Sequence, residues 1–113
     1  MTKPELIVFD LAGTTVEDNY DVHRCLQDAL SEFGVSISRE EANDVMGIPK
    51  PVAIERLLRL HSKDTSESFI QEIHSTFIKR MTDFYRHDSG VKEKLGVSDT
   101  FWELKKTNVK IAV

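Results

Sequence analysis

Cys25 is the only cysteine in the chain, and prolines number three and tryptophans one. With one thiol no internal disulfide can form, so a reducing compartment, the cytoplasm, is the expectation. Long hydrophobic runs are absent as well. The longest is "LIVF" (6–9), far short of the ~20 residues that cross a bilayer, so no membrane anchoring is expected. The opening "MTKPEL" passes straight into that run without a signal-peptide pattern. Basic tracts are missing too: 15 Lys and Arg are set against 19 Asp and Glu, for a net charge of −4. Nothing here attracts nucleic acid or an anionic membrane.

What is present is a chain of 113 residues with the hydrophobic periodicity of a folded protein, a length that suits one compact unit. "LIVF" is continuous rather than alternating, as in a parallel strand covered on both faces. From about Asn19 to Phe33, Val22, Cys25, Leu26, Ala29, Leu30 and Phe33 recur at helical spacing, and Gly34 supplies a stop. "SREE" (38–41) reads as a capping box opening a short helix through Ala42, Val45 and Met46. "GIPKP" (47–51) interrupts it, and Pro51 fits the first turn of the next helix, through "VAIERLLRL". Phe69, Ile73, Phe77, Met81 and Phe84 line one face of a longer helix ending near Tyr85. After a loop-rich junction, Thr100 and Glu103 are in capping-box register for a further helix, and "VKIAV" closes the chain as a second short strand.

The outline is α/β: two strand candidates, one at each end, with a helical block between them. If they pair in parallel, everything between is one crossover. Such a sheet exposes both edges and has little to pack against, so the chain reads as truncated, with further α/β units expected after "VKIAV". The open edges also make a homodimer an alternative. His23, His61, His74 and His87 are scattered without metal-ligand spacing and read as surface or helix-end residues. Cys25 lies on an apolar helical face and reads as packing.

The chemistry gathers in "LIVFDLAGTTVED" (6–18). Asp10 follows the first strand directly, at the carboxyl edge where open α/β sheets place their ligands. Gly13, Thr14 and Thr15 then form a small-residue turn able to offer backbone N–H and hydroxyl groups to a phosphate. Aspartate serves as a covalent nucleophile in phosphoryl transfer, with Mg²⁺ neutralising phosphate charge. The plainer alternative is an aspartate that caps the turn after a strand.

"IVFDLAGTT" resembles the first motif of the haloacid dehalogenase-like hydrolases, an apolar strand followed by Asp-x-Asp-x-Thr. The resemblance implies a Rossmann-like core with an inserted helical cap. Residues 1–16 would carry the first core strand and nucleophile motif, 17–86 the cap, and 87–113 the return to the core. It makes Asp10 the aspartyl nucleophile and a Mg²⁺ ligand, the Ala12 carbonyl a second ligand, and Thr14 the motif's threonine. Most phosphatases of this superfamily carry a general-acid aspartate where this chain has Ala12.

Alanine at that position looks like the phosphonatase-like branch. A departing alkoxide needs an acid to protonate it, whereas a breaking C–P bond needs an electron sink. A lysine Schiff base is such a sink. The branch carries its lysine in Met-Gly-x-x-Lys, and "MGIPK" (46–50) matches, which makes Met46 and Gly47 substrate-side residues and Lys50 the Schiff-base candidate. An exposed lysine at a helix start is the competing reading. Two positions depart from the branch: Ala53 stands where a histidine is usual, and Tyr20 where a cysteine is. The expectation is a Mg²⁺-dependent hydrolase of a small phosphonate or phosphorylated metabolite, inactive as this chain alone. The alternatives are a phosphate-ester phosphatase of the same fold, or a non-catalytic helical module that binds a partner or itself.

Overall fold

The computed structural model describes residues 3–113. They form two units, the segment up to Asn19 together with Ser89–Val113, and Tyr20–Asp88.

The second unit holds four helices, α1 (Asp21–Glu32), α2 (Arg39–Asp44), α3 (Lys50–Leu60) and α4 (Glu67–His87). The apolar stripe of α1 puts Cys25, Leu26, Ala29 and Leu30 in the interior, where Ile54, Leu57 and Leu58 of α3 and Ile73 and Phe77 of α4 meet them. Val35, Ile37, Ala42 and Val45 close the same core. Burying large aliphatic side chains contributes about 1.5–3 kcal/mol each, so this interior is what holds the short helices in place.

The helix ends follow from local sequence. Ser38 Oγ accepts the Glu41 N–H at 3.0 Å and opens α2 as the capping signal predicts. Pro51 sits in the first turn of α3, where its missing N–H costs nothing. At the end of α1, Gly34 N–H donates to Ser31 O (3.1 Å) and Val35 N–H to Leu30 O (3.0 Å), the paired bonds of a Schellman turn. Gly34 takes φ +78°, which that turn requires. The end of α3 repeats the pattern through Ser62 N–H to Arg59 O (3.1 Å) and Lys63 N–H to Leu58 O (2.8 Å). There the left-handed residue is Ser62, at φ 54°.

The first unit pairs β1 (Leu6–Val8) with β2 (Lys110–Ala112) in parallel, in the register Leu6–Lys110, Ile7–Ile111 and Val8–Ala112. α5 (Val97–Lys105) precedes β2, and Phe101 sets its ring 5.0 Å from that of Phe9. The expectation that β1 is covered on both faces does not hold: Leu6 is 53% and Val8 66% exposed, while Ile7 and Ile111 are half-buried. Among the described residues one helix lies beside two strands, which leaves the second face without cover. The Thr100–Glu103 capping box is also unused. α5 starts a turn earlier, with Gly96 at φ +87° before it and Thr100 N–H already bonded to Gly96 O (2.9 Å). No helix among the described residues is long and apolar enough to cross a membrane.

Candidate active site

Asp10 stands just past the carboxyl end of β1 with its side chain exposed. The bond from Phe9 N–H to Ala112 O (2.9 Å) carries the sheet register up to its neighbour. The chain then folds into a tight loop. Leu11 O accepts the N–H groups of Thr14, Thr15 and Val16 at 3.3, 3.1 and 3.0 Å, and Gly13 N–H donates to Val16 O at 2.8 Å. Gly13 takes φ +78°. Thr15 is buried, and its hydroxyl donates to Asp10 O at 3.0 Å, with Leu11 O at 3.3 Å. The loop therefore spends the N–H groups of Gly13, Thr14 and Thr15 on its own closure, and of the three residues' side chains it leaves the Thr14 hydroxyl exposed. Its exit is fixed by Glu17 N–H to Lys92 O (2.7 Å) and Lys94 N–H to Thr15 O (3.0 Å). The effect is to hold the backbone of Asp10 on a braced turn at a sheet edge.

The described residues fit Mg²⁺ only in part. Asp10 offers one carboxylate and Ala12 one backbone carbonyl. Among the described residues no group of three or more His, Cys, Asp or Glu side chains could hold a metal ion. Mg²⁺ demands near-octahedral oxygen coordination, so these two groups do not make a site by themselves.

In the helical unit Lys50 is the first residue of α3, between Pro49 and Pro51, and is half-buried. Burial pushes its ammonium below the ordinary lysine value. A helix N-terminus is also an unfavourable place for a cation, which acts in the same direction. Both effects favour the neutral, nucleophilic amine. Met46 is half-buried against the core, and Gly47 turns the chain at φ +83°. Ala53, where the branch has a histidine, is fully buried and packs in the core. Tyr20, where the branch has a cysteine, precedes α1 at φ 61°, with the Arg39 guanidinium 4.4 Å from its ring centroid.

One histidine departs from the expectation. His23 was expected at a surface or helix end, yet it is only 7% exposed, and its Nε2 lies 3.0 Å from Asn43 Oδ1. The available signal was its position three residues before buried Leu26, beside the apolar stripe of α1. His61 does end a helix, and its Nε2–H donates to the Glu41 carboxylate. Cys25 is buried as packing predicts, and burial pushes its thiol upward.

A strand, an aspartate at its carboxyl end and a helical insertion before the second parallel strand form a recognisable pattern. The family model of the haloacid dehalogenase-like hydrolases matches residues 7–113. The chain belongs to this family. No curated protein matches it. Solved structures share the fold of these hydrolases at low identity. CbbY from Rhodobacter sphaeroides, in complex with phosphate, is 23% identical with a TM-score of 0.79, over 96% of this chain and 49% of that one. A hydrolase from Pseudomonas syringae is 15% identical with a TM-score of 0.78, over 96% and 48%. A predicted phosphoglycolate phosphatase from Haemophilus somnus is 21% identical with a TM-score of 0.74, over 98% and 51%. The chain spans about half the length of the solved structures it matches.

Proposed function

We propose that the chain is part of a phosphonatase-like hydrolase in which Asp10 takes a phosphoryl group and Lys50 captures the substrate's carbonyl. The observation that carries this reading is Lys50 itself: a half-buried lysine opening α3 whose ammonium is disfavoured by its surroundings. Ala12 supports it, because the usual general acid for an alkoxide leaving group is absent from the loop. The neutral Lys50 amine condenses with an aldehyde, releasing water and giving an iminium after protonation. Asp10 then attacks phosphorus, the C–P bond breaks, and its electron pair moves onto carbon to form the enamine. Protonation at carbon and hydrolysis of the iminium return Lys50, and water cleaves the aspartyl phosphate.

In this reading Gly13, Thr14 and Thr15 shape the phosphate side, with the Thr14 hydroxyl as its exposed donor. Met46 and Gly47 shape the carbonyl side. Mg²⁺ is the proposed cofactor, with Asp10 and Ala12 contributing two of its oxygens. It would offset phosphate charge during the displacement. The substrate is a small phosphonate bearing a carbonyl, the setting is cytoplasmic, and residues 1–113 alone do not turn over. Residues 17–86 would serve as the cap. Open strand edges leave self-association of this chain as a further proposal, one that a sedimentation measurement checks.

The second reading, a phosphate-ester phosphatase, is favoured by the structural neighbours, among them a predicted phosphoglycolate phosphatase and a D10N mutant of CbbY in complex with xylulose 1,5-bisphosphate. Turnover by the protein as its source cells make it separates the two. On the first reading Asp10→Asn abolishes hydrolysis of both substrate classes, while Lys50→Arg abolishes only that of the carbonyl phosphonate. Retained phosphonate cleavage by Lys50→Arg overturns the Schiff-base assignment.

A further inference from the structure

α2 carries the charges at its two ends the wrong way round. Arg39, a cation, is its first residue, and Asp44, an anion, is its last. The helix dipole disfavours a cation at the start and an anion at the end. Glu40 suits the dipole, but it lies one turn before Asp44, and like charges at that spacing repel. Among the described residues Arg39, Glu40 and Asp44 form no ion pair that offsets these costs. A short helix has little stability to lose, so the three charges stand where they do at the expense of the fold.

All three face one pocket. Tyr20, Arg39, Glu40, Asn43 and Asp44 line a space of about 360 Å³ within the helical unit, a size that suits a small molecule. The Arg39 guanidinium lies 4.4 Å from the Tyr20 ring centroid, which positions it and leaves its N–H donors without a protein acceptor among the described residues. Tyr20 is held at φ 61° and ψ 32°, a left-handed conformation that is costly for a bulky residue and that gathers at binding sites. Asn43 is fixed from behind. Its Oδ1 accepts from buried His23 Nε2–H at 3.0 Å, so its Nδ2 donors remain for the pocket. Arg39 and Asn43 are four residues apart, as are Glu40 and Asp44, so α2 sets a row of donors beside a row of carboxylates.

We infer that this pocket binds a small zwitterion, an amino acid whose carboxylate is held by Arg39 and Asn43 and whose ammonium is held by Glu40 and Asp44. The planar fork of a guanidinium matches a carboxylate in a bidentate pair. Two carboxylates beside it repel a dianion such as phosphate and call for a cation on the same ligand. An amino acid supplies both groups and gives each unpaired charge of α2 a partner. The inference uses neither Asp10 nor Lys50 and goes beyond the phosphonatase reading.

The test is ¹⁵N NMR of the full chain, reading the Arg39 Nε–H and Asn43 Nδ2–H resonances. The probes are glycine, β-alanine and γ-aminobutyrate, which set their two charges at increasing separation. Acetate, propionate, butyrate, butylamine and inorganic phosphate are the controls that carry charge of one sign only. At least one amino acid should shift both resonances with a Kd at least about tenfold below that of its carboxylate-only counterpart. Arg39→Gln removes this binding. Glu40→Gln combined with Asp44→Asn removes the preference, so that the amino acid binds no better than the simple carboxylate. If Arg39→Gln fails to fold, Arg39→Lys, which lacks the fork, replaces it and weakens binding. No shift with any of the three amino acids overturns the inference. A carboxylate, butylamine or phosphate that binds as tightly as the amino acids overturns it too, as does a preference that survives the Glu40 and Asp44 substitutions.

Discussion

His23 Nε2 lies 3.0 Å from Asn43 Oδ1 and joins α1 to α2 at a position where the histidine is 7% exposed. His23 Nδ1 is buried without a hydrogen-bond partner among the described residues. The one bond the ring makes is therefore the one that satisfies it.

Asn43→Ala leaves the whole imidazole unpaired in the interior. The expected cost is about 1–3 kcal/mol, the penalty for an unsatisfied buried polar group, read as a lower urea midpoint at unchanged slope. ¹⁵N NMR of the wild type should show the proton on Nε2, where it can donate to Asn43. A variant as stable as the wild type would contradict the buried bond.

Lys50 gives a prediction with a defined sign. Its folded-state pKa lies below the ordinary lysine value of 10.5, and burial is the cause. Between the folded value and 10.5 the unfolded chain binds more protons than the folded one, so stability rises with pH across that window. Below it the charged amine is destabilising in full. Lys50→Met should be more stable than the wild type near about pH 7, with the advantage shrinking as pH climbs through the window. Urea unfolding at the two ends of the range measures it. An advantage that does not change with pH would place Lys50 in water.

Ser62 takes φ 54° in the turn that ends α3, a conformation glycine adopts freely and other residues do not. Gly34 fills the equivalent position after α1. Ser62→Gly should therefore stabilise the helical unit by up to about 1 kcal/mol, seen as a higher thermal midpoint. A destabilised variant would mean that the serine side chain contributes more than its backbone strain costs.

Much of this architecture is legible in the sequence because the signals are local. The stripe from Val22 to Phe33, the Ser38 cap, Pro51 at the start of α3 and both strands each follow from a few neighbouring residues. What was not legible depends on residues far apart in the chain. His23 is buried because Asn43, 20 positions away, satisfies it, and Glu41 abandons its cap for His61 at the same separation. α5 starts at Val97 rather than near Thr100 because Gly96 admits a left-handed residue before it, a signal weaker than the Thr100–Glu103 pattern. Asp10 in the first unit and Lys50 in the second each stood out by motif alone. That the loop spends the N–H groups of Gly13, Thr14 and Thr15 on itself follows only from its closed geometry.

The most direct test of the central claim, that Lys50 is a carbonyl-capturing amine, is borohydride reduction of the chain in the presence of an aldehyde-bearing phosphonate, followed by peptide mass mapping. The account predicts a reduced adduct concentrated on Lys50 and lost in Lys50→Arg. Adducts spread evenly over the exposed lysines, with no preference for Lys50, would contradict it.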